Sequence, residues 1–78
     1  MLKKLNNMLR PKTTANMIGI KIKKLRKEKG LTQMQMSDNQ ISYVSVSNIE
    51  NGRKIPSIKS LEIFCKTLGC KSSDLLPF

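Results

Sequence analysis

Histidine and tryptophan are missing from these 78 residues, aromatic side chains make up only 4%, and cysteine occurs twice, as Cys65 and Cys70. With no histidine, and with the acids scattered singly, no acid–base pair or activated nucleophile is visible, so no enzyme is expected. A structural zinc site needs four Cys or His ligands, which the two cysteines cannot supply, so neither metal nor cofactor is expected. The cysteines read as small buried hydrophobes and free thiols, with Cys65, on an apolar helix face, the slower to meet a thiol reagent. No apolar run approaches the roughly 18 residues that span a bilayer. The basic start, Met1 to Asn7, lacks the apolar stretch and small-residue cleavage site of a signal peptide. A cytoplasmic chain with no membrane partner is the expectation. Leu, Ile, Met and Val must fill the core, and a chain this short, burying only about 60% of its unfolded surface, makes one domain.

Acidic residues are also scarce: fifteen Lys and Arg face five Asp and Glu, for a net charge of +10. Residues 1–30 hold ten basic side chains against Glu28 alone, a charge of +9, while residues 31–78 carry +1. A polyanion is the natural partner, because each neutralised phosphate releases condensed counterions. Charge alone does not separate nucleic acid from a membrane surface.

Residues 1–16 (MLKKLNNMLRPKTTAN) differ from the rest of the chain: Pro11 breaks the spacing of Leu2, Leu5 and Leu9, and Thr13, Thr14 and Asn16 read as linker. They are expected to form a flexible basic tail before a domain over 17–78. From Met17 to Lys29, Ile18, Ile22 and Leu25 share one helical face, Lys21, Lys23, Lys24 and Lys27 mostly face elsewhere, and Gly30 supplies a left-handed stop. Thr32 with Gln35 makes a capping box for a second helix; Leu31 and Met36 are placed for a hydrophobic staple, and Asp38, Asn39 and Gln40 stop the helix early. Ser42 caps a third, with Val46 and Ile49 buried, Met36 in the core, Met34 half exposed, and Gly52 at the end. Ser57 caps a fourth, whose apolar face is Ile58, Leu61, Phe64, Cys65 and Leu68, ended by Gly69. A last turn near Ser72 to Leu76 takes Ser72 or Ser73 as cap and Asp74 near its positive end. No segment alternates as a strand does, so the fold class is all-α.

The stretch LTQMQMSDNQISYVSVSNIENGRKIP (31–56) places two short capped helices a few residues apart, the arrangement of a helix-turn-helix. The chain resembles the lambda-repressor-like (Xre-type) DNA-binding domains over about Ile18 to Leu76. The likeness is carried by IKKLRKEKGLTQ (22–33), SVSNIENGRKIPS (45–57) and LEIFCKTLGCKSSDLL (61–76). It departs from most of that family by being one residue shorter between Thr32 and Gly52, with Asn39-Gln40 where a glycine is usual. Some peptide-sensing Gram-positive regulators share the shorter spacing, and Ser42 to Gly52 aligns without a gap.

The resemblance implies a five-helix bundle and a set of contacts to double-stranded DNA. Tyr43, Val44, Ser45 and Asn48 match base-facing positions of the recognition helix. Asn48 suits the adenine edge, Val44 a thymine methyl, and the Tyr43 hydroxyl a base or phosphate. Gln33, Asn51, Arg53 and Lys54 match phosphate contacts. Arg26 and Glu50 match a partly buried ion pair between helix one and helix three, a structural role, since a carboxylate facing DNA would repel it. The implied activity is sequence-specific transcriptional regulation, expected to be repression, by a homodimer, because one module reads only a few base pairs. Leu75, Leu76, Pro77 and Phe78 offer apolar groups either for a two-fold interface or for closing the core. Two other classes fit parts of the chain: an antitoxin-like protein-interaction module that also binds DNA, and a basic peptide that binds RNA or a membrane. Neither accounts for the Thr-Gln and Ile-Glu-Asn-Gly elements.

Overall fold

The computed structural model describes residues 13–77, and among them every regular element is helical. The order is α1 (Thr14–Glu28), α2 (Gln33–Met36), α3 (Tyr43–Glu50), α4 (Ile58–Leu68) and α5 (Ser72–Leu75), an all-α, five-helix fold.

Capping chemistry sets the starts. The Thr13 hydroxyl accepts the Asn16 N–H at 3.1 Å, Ser42 accepts that of Ser45 at 3.1 Å, and Ser57 that of Ser60 at 3.1 Å. Thr32 and Gln35 form the reciprocal capping box, each side chain bonding the other's backbone N–H at 3.1 and 2.7 Å. The linker reading of Thr13, Thr14 and Asn16 is corrected: Thr13 is a cap, Thr14 opens α1, and Asn16 lies within its first turn. The same short polar side chains serve loops and caps, which is why composition misplaced this boundary. The remainder of the expected tail, residues 1–12, lies outside the described residues, as does Phe78. At α5 the cap is Lys71, neither Ser72 nor Ser73; the Lys71 N–H donates to the Asp74 carboxylate at 2.9 Å.

The first, third and fourth helices end in one way. Gly30, Gly52 and Gly69 take positive φ, and the next N–H folds back onto the carbonyl five residues earlier: Leu31 to Arg26 at 3.0 Å, Arg53 to Asn48 at 2.9 Å, Cys70 to Cys65 at 3.0 Å. This is the long bond of a Schellman motif, which also brings the side chains of the two bonded residues together. The turn after α2 manages without glycine. The Asp38 carboxylate accepts the N–H groups of Gln40 and Ile41 at 2.7 and 2.9 Å, so no left-handed residue is needed where the family's usual one is missing.

Ile18, Ile22, Met36, Ile41, Val46, Ile49, Phe64, Leu68 and Leu75 make one core, with Leu25, Leu31, Leu61, Cys65 and Leu76 packed at its margin. Gly19 is where α1 and α3 meet backbone to backbone: a Cβ there would collide with the Ile49 carbonyl oxygen and lie 2.7 Å from that of Glu50. Three sequence expectations change. Ile58 is 75% exposed, since burial along α4 is confined to Phe64 and Leu68 further from the helix start. Met34 is exposed outright, and both cysteines are half-buried rather than buried. Leu75 is fully buried, so it closes the core and is not available to an interface.

Candidate nucleic-acid interface

Helix α3 buries Val46, Ile49 and Glu50 and turns its other side to solvent. Tyr43 and Val44, at its start, are 48% and 62% exposed. Val44 and Asn48 stand one turn apart on the same side, and Ser45 and Asn48 are half-buried. The described residues thus leave about half of the Tyr43 side chain and most of Val44 uncovered. Asn48 and Arg53 are the paired residues of the Schellman end of α3, and their side chains meet: Arg53 Nη1 donates to Asn48 Oδ1 at 3.3 Å. Asn51, exposed, donates weakly to the Ser47 hydroxyl at 3.5 Å, and Lys54 is exposed in the following loop.

Beneath this surface Arg26 and Glu50 meet in the interior. Arg26 Nε donates to Glu50 Oε2 at 2.6 Å and Nη2 to Oε1 at 3.1 Å, a two-pronged pair between residues only 8% and 6% exposed. Arg26 Nη1 also donates to the Leu31 carbonyl at 2.7 Å, closing the end of α1. The Gln33 amide donates to Glu50 Oε1 at 3.0 Å, so this side chain is drawn towards the ion pair and keeps one N–H uncommitted to it. Glu50 therefore links α1, α2 and α3 through one carboxylate.

Sequence reasoning missed a basic cleft. Asn16, Ile20, Lys23, Lys24, Lys27, Glu50 and Asn51 line one cavity between α1 and the end of α3. Positions 16, 20, 23 and 27 repeat at helical spacing, a second stripe beside the apolar one, and that periodicity was the available signal. With Glu50 already matched by Arg26, the three lysines leave the cleft positive. The described residues contain no cluster of His, Cys, Asp and Glu that would hold a metal. None of the described helices is long and apolar enough to cross a membrane.

The fold is that of DNA-binding transcription regulators. Residues 22–75 match the helix-turn-helix family, and the chain belongs to it. The chain is 37% identical over 59 residues to the competence pilus inhibition repressor of Acinetobacter baylyi, an alignment covering 74% of this chain and 54% of that protein. It thus spans about half the length of this curated relative. Its structure is similar to the crystal structure of the clp gene regulator ClgR from C. glutamicum. The TM-score is 0.75 at 26% identity, and the match covers 83% of this chain and 86% of that one.

Proposed function

We propose that this chain is a cytoplasmic, sequence-specific transcriptional repressor that lays α3 in the major groove of a double-stranded DNA operator. The observation that carries this reading is the exposure of Tyr43 and Val44 at the start of a helix whose opposite side is locked into the core. In a recognition helix the N-terminal residues are the ones that reach base edges. Tyr43, Val44, Ser45 and Asn48 then read bases, with Asn48 suited to the N6 and N7 of adenine and Val44 to a thymine methyl. Arg53 occupies one lone pair of Asn48 Oδ1 and leaves the other to accept from a base, so it orients the reader while facing the backbone. Gln33, Asn51, Arg53 and Lys54 hold phosphates. Lys23 and Lys27 extend that phosphate track along the cleft beside Asn51. A homodimer on a pseudo-palindromic site supplies the affinity that one module lacks.

Binding-site selection from random DNA, followed by variants on the selected site, tests the reading. Asn48→Ala should lose about 1–3 kcal/mol on that site and relax preference at one base position. Lys54→Ala, which touches no reader, should weaken selected and random DNA alike and flatten the salt dependence by about one unit of slope. A selected site with dyad symmetry, with a dimer in equilibrium sedimentation on DNA, supports the two-fold assembly. Asn48→Ala with preference intact would show that α3 is not the reading helix.

A further inference from the structure

The Schellman motif that ends α4 pairs two thiols. Its long hydrogen bond runs from the Cys70 N–H to the Cys65 carbonyl at 3.0 Å, and Gly69 between them takes φ +67°. That bond draws the two residues' backbones together, at the place where such motifs usually carry an apolar side-chain contact. Here the two residues brought together are both cysteines. Both residues are half-buried and free, and Cys65 is reached from solvent along a groove it shares with Ile58, Leu61 and Leu76. We propose that Cys65 and Cys70 are a redox-active dithiol that a peroxide closes into an intramolecular disulfide across the end of α4.

The surroundings divide the labour between the two sulfurs. The Cys70 thiol is pushed up to about 11, by burial first, then by the charge of Cys65 and the hydrogen bond to it, and by Asp74, with Lys29 opposing. Cys70 is therefore held mostly as the neutral thiol at pH 7, and Cys65, which lines the groove open to solvent, is the sulfur that peroxide reaches. The Cys65 thiolate attacks one peroxide oxygen: an S–O bond forms, the O–O bond breaks, and the departing hydroxide is protonated to water, leaving Cys65 as sulfenic acid. The Cys70 sulfur then attacks the Cys65 sulfur, the S–S bond forms, the S–O bond breaks, and hydroxide leaves with the Cys70 proton as a second water. Two thiols are oxidised by two electrons while the peroxide is reduced to two waters. Reactivity at Cys65 reverses the order expected from the sequence, where its helix face alone argues that it reacts more slowly.

The experiment is hydrogen peroxide treatment of the reduced, full-length protein, read by intact mass, non-reducing gel and tryptic mapping. Trypsin separates residues 60–66 from 67–71, so the disulfide links two peptides that are otherwise distinct. The expected product is a monomer lighter by two hydrogens, carrying that linked pair and restored by dithiothreitol. Cys70→Ser should consume peroxide at the parent rate and stop at a sulfenic acid that dimedone traps. Cys65→Ser, which leaves only the sulfur that does not line the groove, should consume peroxide more slowly than Cys70→Ser. Sulfinic acid on Cys65 with Cys70 untouched, or a disulfide only between chains, would overturn the proposal, as would unchanged thiols. Equal peroxide rates for the two serine variants, both folded by circular dichroism, would overturn the assignment of Cys65 as the attacking thiol.

Discussion

Replacing Glu50 by Gln changes one atom of the carboxylate that three helices share. Glu50 accepts from Arg26 Nε, Arg26 Nη2 and Gln33 Nε2. In one amide orientation a new N–H group faces Arg26 Nε across 2.6 Å; in the other it faces Arg26 Nη2 and Gln33. Either way donor meets donor, and the buried guanidinium keeps its charge with only neutral acceptors, the Leu31 carbonyl and the one amide oxygen that remains. A surface ion pair is worth under about 1 kcal/mol, whereas stranding one member of a buried pair costs about 3–5 kcal/mol. Side-chain exposures of 10% for Arg26 and 1% for Glu50 select the larger figure. A core of this size supplies roughly 3–5 kcal/mol in all, so the loss matches the whole stability of the domain. At about 4–8 °C per kcal/mol, the melting temperature should fall by at least about 12 °C, or the folded baseline should vanish. Thermal melting by circular dichroism is the assay. The Arg26→Met, Glu50→Leu double variant should recover part of the loss, because it buries no unpaired charge. Melting of Glu50→Gln within about 2 °C of the parent refutes the argument, and loss of DNA binding at unchanged melting would make Glu50 a reader instead.

Gly19→Ala gains about 1 kcal/mol of helix propensity, yet its Cβ strikes backbone oxygens of α3 that no rotamer change can move, a clash of about 3 kcal/mol. A net loss near 2 kcal/mol in urea or thermal melts is expected, and unchanged stability would mean that α1 and α3 do not approach this closely. Lys23→Gln and Lys27→Gln should each reduce the salt slope of binding by about one unit, equally on selected and random DNA. A slope that stays put removes the cleft from the DNA face. Truncation of residues 1–16 takes the Thr13 cap and the first turn of α1, about 1 kcal/mol or more, whereas truncation of 1–12 keeps both. The longer truncation should melt at least about 4 °C below the shorter, and equal melting would show that the cap adds no stability.

How far each residue could be read depends on the range of the interaction that places it. Caps and helix ends act over three to five residues, so Thr32 with Gln35, Ser42, Ser57 and the glycines at 30, 52 and 69 were legible from the chain. The apolar spacing of Ile18 and Ile22, Val46 and Ile49, and Phe64 and Leu68 named most of the core by the same local logic. The helix-turn-helix emerged from those elements in order, and the family match over residues 22–75 covers it.

Thr13 failed because a capping threonine and a loop threonine are the same residue, and only the chain's return as α1 distinguishes them. Ile58 and the cysteines were misjudged, and Leu75 was left between two roles, because spacing tells which side of a helix is apolar, not how far along that side a neighbour covers it. The junction of Glu50 with Arg26 and Gln33, the close approach at Gly19, and the cleft joining Lys23 and Lys27 to Asn51 span roughly 17 to 31 residues of chain. By itself the sequence determined the helices, most of their ends and the family. The tertiary structure decided which charges are buried together and which remain for a partner, because that depends on how the helices pack rather than on where each begins and ends.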